Sequence, residues 1–248
     1  MPESGSSRDP KAVRAVMEQM RSWEASRVHR RMPQSQPQAA VQVSTPAELA
    51  KEVAHFVTLS NAVGSGGREL ATRLADRLGW PIFDRQILTL MAGDDEVRAE
   101  LYRSMDERDL GWFEETFRTF MHEEFRKNDY FHRLTETVLC LARQGPAVFI
   151  GRAADLILPR DKGLRIKVFA SHAYRVRSFA AATGVDLQQA ATQVERIDAE
   201  RAHFIHRRFN RENHDITRFD LLIDLEQFTS DQALEIIFMA LRFRGCLS

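Results

Sequence analysis

Residues Val53–Leu59 (VAHFVTL) lead through Ser60 into Asn61–Gly67 (NAVGSGG), and Arg68–Leu78 (RELATRLADRL) follows. The first run is short, apolar and rich in β-formers, which predicts a buried strand. The last has Leu70, Leu74, Ala75 and Leu78 at helical spacing, and Gly79 stands where a helix would stop. Between them lies a glycine-rich turn. Strand, glycine loop and helix in that order open a phosphate-binding α/β unit, because glycines let backbone N–H groups close on an anion at the positive end of the helix.

The same alternation continues outward. Short strands are expected at Trp80–Phe83, Pro146–Ile150, Leu164–Phe169 and Phe219–Ile223. Helices are expected after Asp84, through residues 94–143, at Ser171–Thr183, from Leu187 to about Phe209, and at Ser230–Arg242 with Ser230 as N-cap. Alternating strands and helices imply a parallel sheet of about five strands covered on both faces. The expected fold class is therefore α/β, with a helical insert at 94–143 and a helical lid at 186–215. The domain is expected to span 48–248. Residues 1–47 read as a separate extension: a basic helix at Asp9–Arg31, then a polar Pro/Gln linker. That helix is either a mobile extension or a docking element, for a protein partner or a membrane surface, and its narrow apolar stripe disfavours the membrane.

Composition narrows the function classes. The chain has 248 residues, 44% of them hydrophobic, so a sizeable core is expected. No apolar run reaches the roughly 18 residues of a membrane helix, and MPESGSSRDP lacks the apolar centre of a secretory signal. Two cysteines, Cys140 and Cys246, make neither a disulfide framework nor a zinc site. A cytoplasmic setting with no membrane partner is the expectation. Basic and acidic residues balance at 35 each, so no global field draws the chain to nucleic acid. Five of the basic residues are lysines (Lys11, Lys51, Lys127, Lys162 and Lys167), and none falls in the glycine loop. If the chain handles phosphates there, backbone N–H groups and arginines must do it.

The loop departs from the phosphate-loop pattern G-x-x-x-x-G-K-[ST]. With Gly66 at the second glycine, Asn61 takes the first, Gly67 the lysine and Arg68 the hydroxyl position. Arg68 is the nearest replacement cation. Gly64, Ser65, Gly66 and Gly67 supply the cradle.

Four blocks carry a resemblance. They are TLSNAVGSGGRELATRLADRLGWPIFDRQIL from Thr58, FIGRAADLILP from Phe149, VFASHAYRVRSF from Val168, and ERIDAERAHFIHRRFN from Glu195 with FDLLID after it. In order and spacing they resemble the cytidylate kinase-like family, relatives of the nucleoside monophosphate kinases. The resemblance implies a P-loop kinase fold, ATP as phosphoryl donor with Mg2+, and a nucleotide acceptor. It implies a donor-phosphate site at Gly64–Arg68. Arg152 matches the arginine that holds the acceptor phosphate, and Arg175 matches one on the helix after the fourth strand. Arg196, Asp198 and Arg201 match the segment of lid and acceptor contacts. Arg68, Arg152 and Arg201 are the expected catalytic groups; Asp84, Arg152, Arg175, Arg196 and Asp198 are expected on the acceptor. After the second strand the chain keeps Asp84 but reads DRQILTL, not the D-[ST]-G-A-x-Y-R of cytidylate kinases, so the acceptor stays open.

Other constellations are weaker. Asp84 either orients magnesium-bound water or caps the next helix. His203, His206 and His214 have metal-compatible spacing but no clear partner. Trp112, Phe113, Phe117, Phe120 and Phe125 read as the core of the insert. Two readings remain: a phosphotransferase, or a nucleotide-responsive binding protein with little turnover.

Overall fold

A computed structural model describes residues 53–93 and 129–247. The expected extension at 1–47 and the stretch 94–128, with its aromatic set, lie outside the described residues.

Five parallel strands form one sheet in the order β2-β3-β1-β4-β5: β1 Phe56–Asn61, β2 Ile82–Phe83, β3 Ala147–Ile150, β4 Gly163–Phe169 and β5 Leu221–Asp224. The helices are α1 Gly67–Leu78, α2 Arg85–Gly93, α3 Asp129–Gln144, α4 Ala154–Ile157, α5 His172–Thr183, α6 Leu187–Phe209 and α7 Ser230–Phe243. The expected doubly covered α/β sheet is present. β1 starts three residues later than its apolar run and continues through Ser60 and Asn61, because those two residues still pair with Lys167 and Val168 of β4.

Strand alternation divides the core. Val57, Leu59, Val148, Ile166 and Ile223 face α1 and α7, meeting Leu70, Leu74, Ile237 and Leu241. Phe56 and Phe149 face the other way, toward Leu88 and Met91 of α2 and Leu134 and Val138 of α3. Each such fully buried side chain contributes roughly 1.5–3 kcal/mol. A small third cluster, Val176, Ala180, Ala190 and Val194, joins α5 to α6.

Helix ends follow local chemistry. Gly79 and Gly184 adopt left-handed conformations (φ 64° and 73°) and terminate α1 and α5. The N-cap of α7 corrects the sequence expectation: Thr229, not Ser230, takes the cap. Thr229 is extended, its hydroxyl accepts from Gln232 N, and the Gln232 side chain accepts from Thr229 N, a reciprocal capping box that leaves Ser230 as the first helical residue.

The sheet order reverses around β1, whose neighbours β3 and β4 lead away in opposite directions. Such a reversal opens a crevice at the carboxyl ends of the strands, and the chain places its glycine loop there.

Candidate functional site

The glycine loop connects β1 to α1, and each glycine in it has a steric reason. Gly64 has φ 77°, and a Cβ on it would lie 2.3 Å from the carbonyl oxygen of Arg175. Gly66 has φ 81° and is the N-cap of α1, with no side chain capping the helix. Gly67 is helical, but a Cβ there would lie 2.5 Å from Asn61 Cβ and 3.3 Å from the Val168 side chain. Ser65 is fully buried and its hydroxyl donates to Ala62 O at 2.7 Å. The first N–H groups of α1 therefore have neither an intrahelical acceptor nor a side-chain cap, the arrangement that receives an anion.

Gly67 explains the missing lysine. The space a side chain would need at that position is filled by Asn61, the residue that replaces the first glycine of the usual pattern. The two departures from the pattern are one packing solution.

Across the crevice, β3 ends in a second unusual turn. Gly151, Arg152 and Ala153 have φ of 70°, 52° and 56°, three consecutive left-handed residues, two of them not glycine. Such backbone costs of order 1–3 kcal/mol per residue and persists where its surroundings impose it. One such constraint is a buried ion pair. Asp155 on α4 accepts from Arg218 Nη2 at 2.7 Å and Nε at 3.0 Å, with both side chains about 4% exposed. The turn holds Arg152 so that Nη2 donates to Thr89 Oγ1 at 2.8 Å and its guanidinium lies 5.9 Å from the Tyr130 ring centre. Arg152 Nε is buried with no hydrogen-bond partner among the described residues. Burial pulls this guanidinium below the ordinary arginine range; Tyr130 opposes that shift and Arg85 adds to it.

Between the two turns lies a cavity of about 510 Å³. Five arginines, Arg68, Arg85, Arg152, Arg201 and Arg218, reach it, against three carboxylates, Asp84, Asp155 and Glu200. This cationic bias suits a ligand with several negative charges. Arg201 Nη1 donates to Asn61 O at 2.6 Å, and burial also lowers its pKa. Arg68 is ion-paired with Asp84. The other Asp84 oxygen accepts from Gln86 N at 2.8 Å and Ile87 N at 2.9 Å, so Asp84 caps α2.

The structure thus brings Arg68, Asp84, Arg152 and Arg201 to one cavity. Arg175 and Asp198 sit apart from it, paired at 2.7 Å beside a second cavity. Arg196 reaches neither: it is exposed and pairs with Glu200 at 2.6 Å. Five residues along a helix turn through about 500°, so Arg196 and Arg201 point about 140° apart. Sequence reasoning passed over Arg85, Thr89, Tyr130, Asp155, Arg218 and Lys167. Asp155 carried a weak signal, lying three residues after Arg152 in the GRAAD motif.

Among the described residues no helix is long and apolar enough to cross a membrane. The chain is similar in structure to an uncharacterized protein from Eubacterium ventriosum ATCC 27560, with a TM-score of 0.61 and 17% identity over 76% of this chain and 98% of that one. A gluconokinase from Sinorhizobium meliloti 1021 matches at TM-score 0.44 and 13% identity, covering 78% of this chain and 95% of that one. The shikimate kinase from Bacteroides thetaiotaomicron matches at TM-score 0.40 and 13% identity, covering 75% and 98%. No curated protein matches. The model of the cytidylate kinase-like family matches residues 56–227, which takes in both turns and every arginine of the cavity, and the chain belongs to that family.

Proposed function

We propose that the protein is a phosphotransferase that moves the γ-phosphoryl group of ATP to a nucleoside monophosphate or another small acceptor. The observation that carries this reading is Arg152: a strained turn holds a guanidinium whose buried Nε has no partner among the described residues, on the wall of a cavity that Arg68 of α1 also lines. A buried donor left unpaired costs about 1–3 kcal/mol, more when it is charged, and an acceptor phosphate would relieve that cost.

Roles follow from position. The N–H groups at Gly64–Gly67 and the Arg68 side chain bind the donor phosphates. Arg152 grips the acceptor phosphate, and Arg201 faces the transferred group. Arg175, paired with Asp198 and donating to Val63 O, braces the glycine loop from outside the cavity, and Arg196, exposed and paired with Glu200, takes no part. Phosphoryl transfer draws its rate from positioning and from cations around a charge-rich transition state, and arginines supply both. The residues present fit an oligophosphate. A magnesium ion would be held by Asp84 once Arg68 turns to the phosphates; such an ion neutralises charge on the phosphate oxygens.

ADP formation from ATP should be measured with each nucleoside monophosphate in turn and compared with Arg152→Ala. Turnover that falls at least tenfold in the variant supports the reading. No ADP release above background with any acceptor refutes it.

A second reading is favoured by the Gly67–Asn61 packing, which closes the lysine position, and by the Arg68–Asp84 pair, which neutralises the replacement cation. On that reading the protein binds nucleotides and turns them over little. Thermal shifts with ATP, ADP and CMP, read together with ADP release, separate the two: stabilisation without ADP formation supports this reading, and stabilisation with it supports the phosphotransferase. A ligand at one hundred times its Kd stabilises by about 2.7 kcal/mol, with or without turnover.

A further inference from the structure

A second cavity of about 310 Å³ lies on the sheet face over β4 and β5, beneath α6 and the segment leading from it to β5. Its floor is a cross-strand row: Ser60 of β1 pairs with Lys167 of β4, and Lys167 with Leu222 of β5. Phe169, Phe219, Ile216 and Leu222 give it an apolar wall. Lys167 Nζ donates to Ser60 Oγ at 3.2 Å and lies 5.5 Å from the Phe219 ring centre.

The ammonium is poorly compensated. Of the acids near it, Asp198 is held by Arg175 at 2.7 Å and Asp155 by Arg218 at 2.7 Å. Arg201 lies on the same cavity and makes no ion pair among the described residues: it donates to Asn61 O, and Asp198, which favours its charge, is already held by Arg175. Burial, with Arg218 and Arg201 adding to it, lowers Lys167 to about 8.

We propose that the second cavity is a binding subsite for a small organic anion, its charged end held by Lys167 and Arg201 and its apolar body packed against Phe169, Phe219 and Leu222. The chemical class is a phosphate or carboxylate on an aromatic or branched aliphatic body. The site borders the first cavity at Ser60, Asn61, Arg201 and Asn213, yet its occupancy does not depend on phosphoryl transfer.

The full chain labelled with 13Cε-lysine gives five lysine signals, and the one absent from Lys167→Met is Lys167. Titration with phenyl phosphate is expected to shift that signal and to raise its titration midpoint by at least one pH unit. Inorganic phosphate, which lacks the apolar body, should need at least tenfold higher concentration. Phe219→Ala should weaken phenyl phosphate about tenfold and inorganic phosphate less than twofold, and it identifies the apolar contact should Lys167→Met fail to fold. Arg152→Ala should leave the shift in place. A Lys167 signal unmoved at tens of millimolar probe, an equal response to both anions, or loss of the shift in Arg152→Ala would each overturn the proposal.

Discussion

Replacing Gly67 by alanine adds one methyl group at the most crowded point of the loop. Its Cβ would sit 2.5 Å from Asn61 Cβ, with Val168 Cβ and Cγ1 at 3.3 Å. Carbon atoms pack best at about 3.5–4.0 Å, so the overlap with Asn61 exceeds about 1 Å, and Val168 narrows the room to retreat. Neither neighbour is the free end of a long side chain; one belongs to β1 and the other to β4. Overpacking of this kind costs about 1–3 kcal/mol. Alanine regains up to about 1 kcal/mol of helix propensity over glycine, less at the first residue of a helix. The expected net loss is about 1–2 kcal/mol. With a urea slope of about 2 kcal/mol per molar, the middle of the usual range, the midpoint should fall by roughly 0.5–1 M. Asn61→Gly removes the offending Cβ while keeping the carbonyl that Arg201 uses, so the double variant should recover most of the loss, a coupling of about 1 kcal/mol or more. Gly67→Lys should behave as Gly67→Ala does and gain no activity. If Gly67→Ala unfolds at the wild-type urea concentration with an unchanged slope, the steric account of the missing lysine is wrong.

Asp155→Ala leaves the Arg218 guanidinium buried without its partner and should cost about 3–5 kcal/mol in urea unfolding; a loss below about 1 kcal/mol would mean that Arg218 reaches water in the variant. Arg152→Ala removes charge-assisted bonds to an anion worth about 1.5–3 kcal/mol, so acceptor affinity by calorimetry should weaken roughly 10- to 150-fold while donor affinity holds. Lys167 titrates at about 8 when folded against an ordinary value near 10.5. Between those values the unfolded chain binds more protons, so stability should rise with pH across that window, and below about pH 8 the burial penalty is present in full. The difference between wild type and Lys167→Met in Tm should shrink from pH 8 to 10.5; a constant difference would show that the amine is not desolvated.

Local pattern and tertiary placement divide the protein cleanly. The strand–glycine loop–helix opening and the later strands were legible because an apolar run, a turn and a 3.6-residue stripe are properties of a few consecutive residues. The sheet order was not legible from pattern alone, and the site depended on it. Arg152 and its neighbour Ala153 adopt left-handed backbone although neither is glycine or asparagine, so no local preference announced the turn. The pair Asp155–Arg218 spans 63 positions of sequence, and the contact of Lys167 with Ser60 spans 107. Arg196 and Arg201 looked equivalent in the RIDAER segment, but helix phase sends one to solvent and the other to the cavity. Sequence by itself determined that this is an α/β chain of the cytidylate kinase-like family, with one arginine, Arg68, and no lysine at its glycine loop. Only the tertiary structure decided why: Asn61 fills the space beside Gly67, a contact that exists because β1 bends into α1 against β4, and chain order alone does not encode that distance.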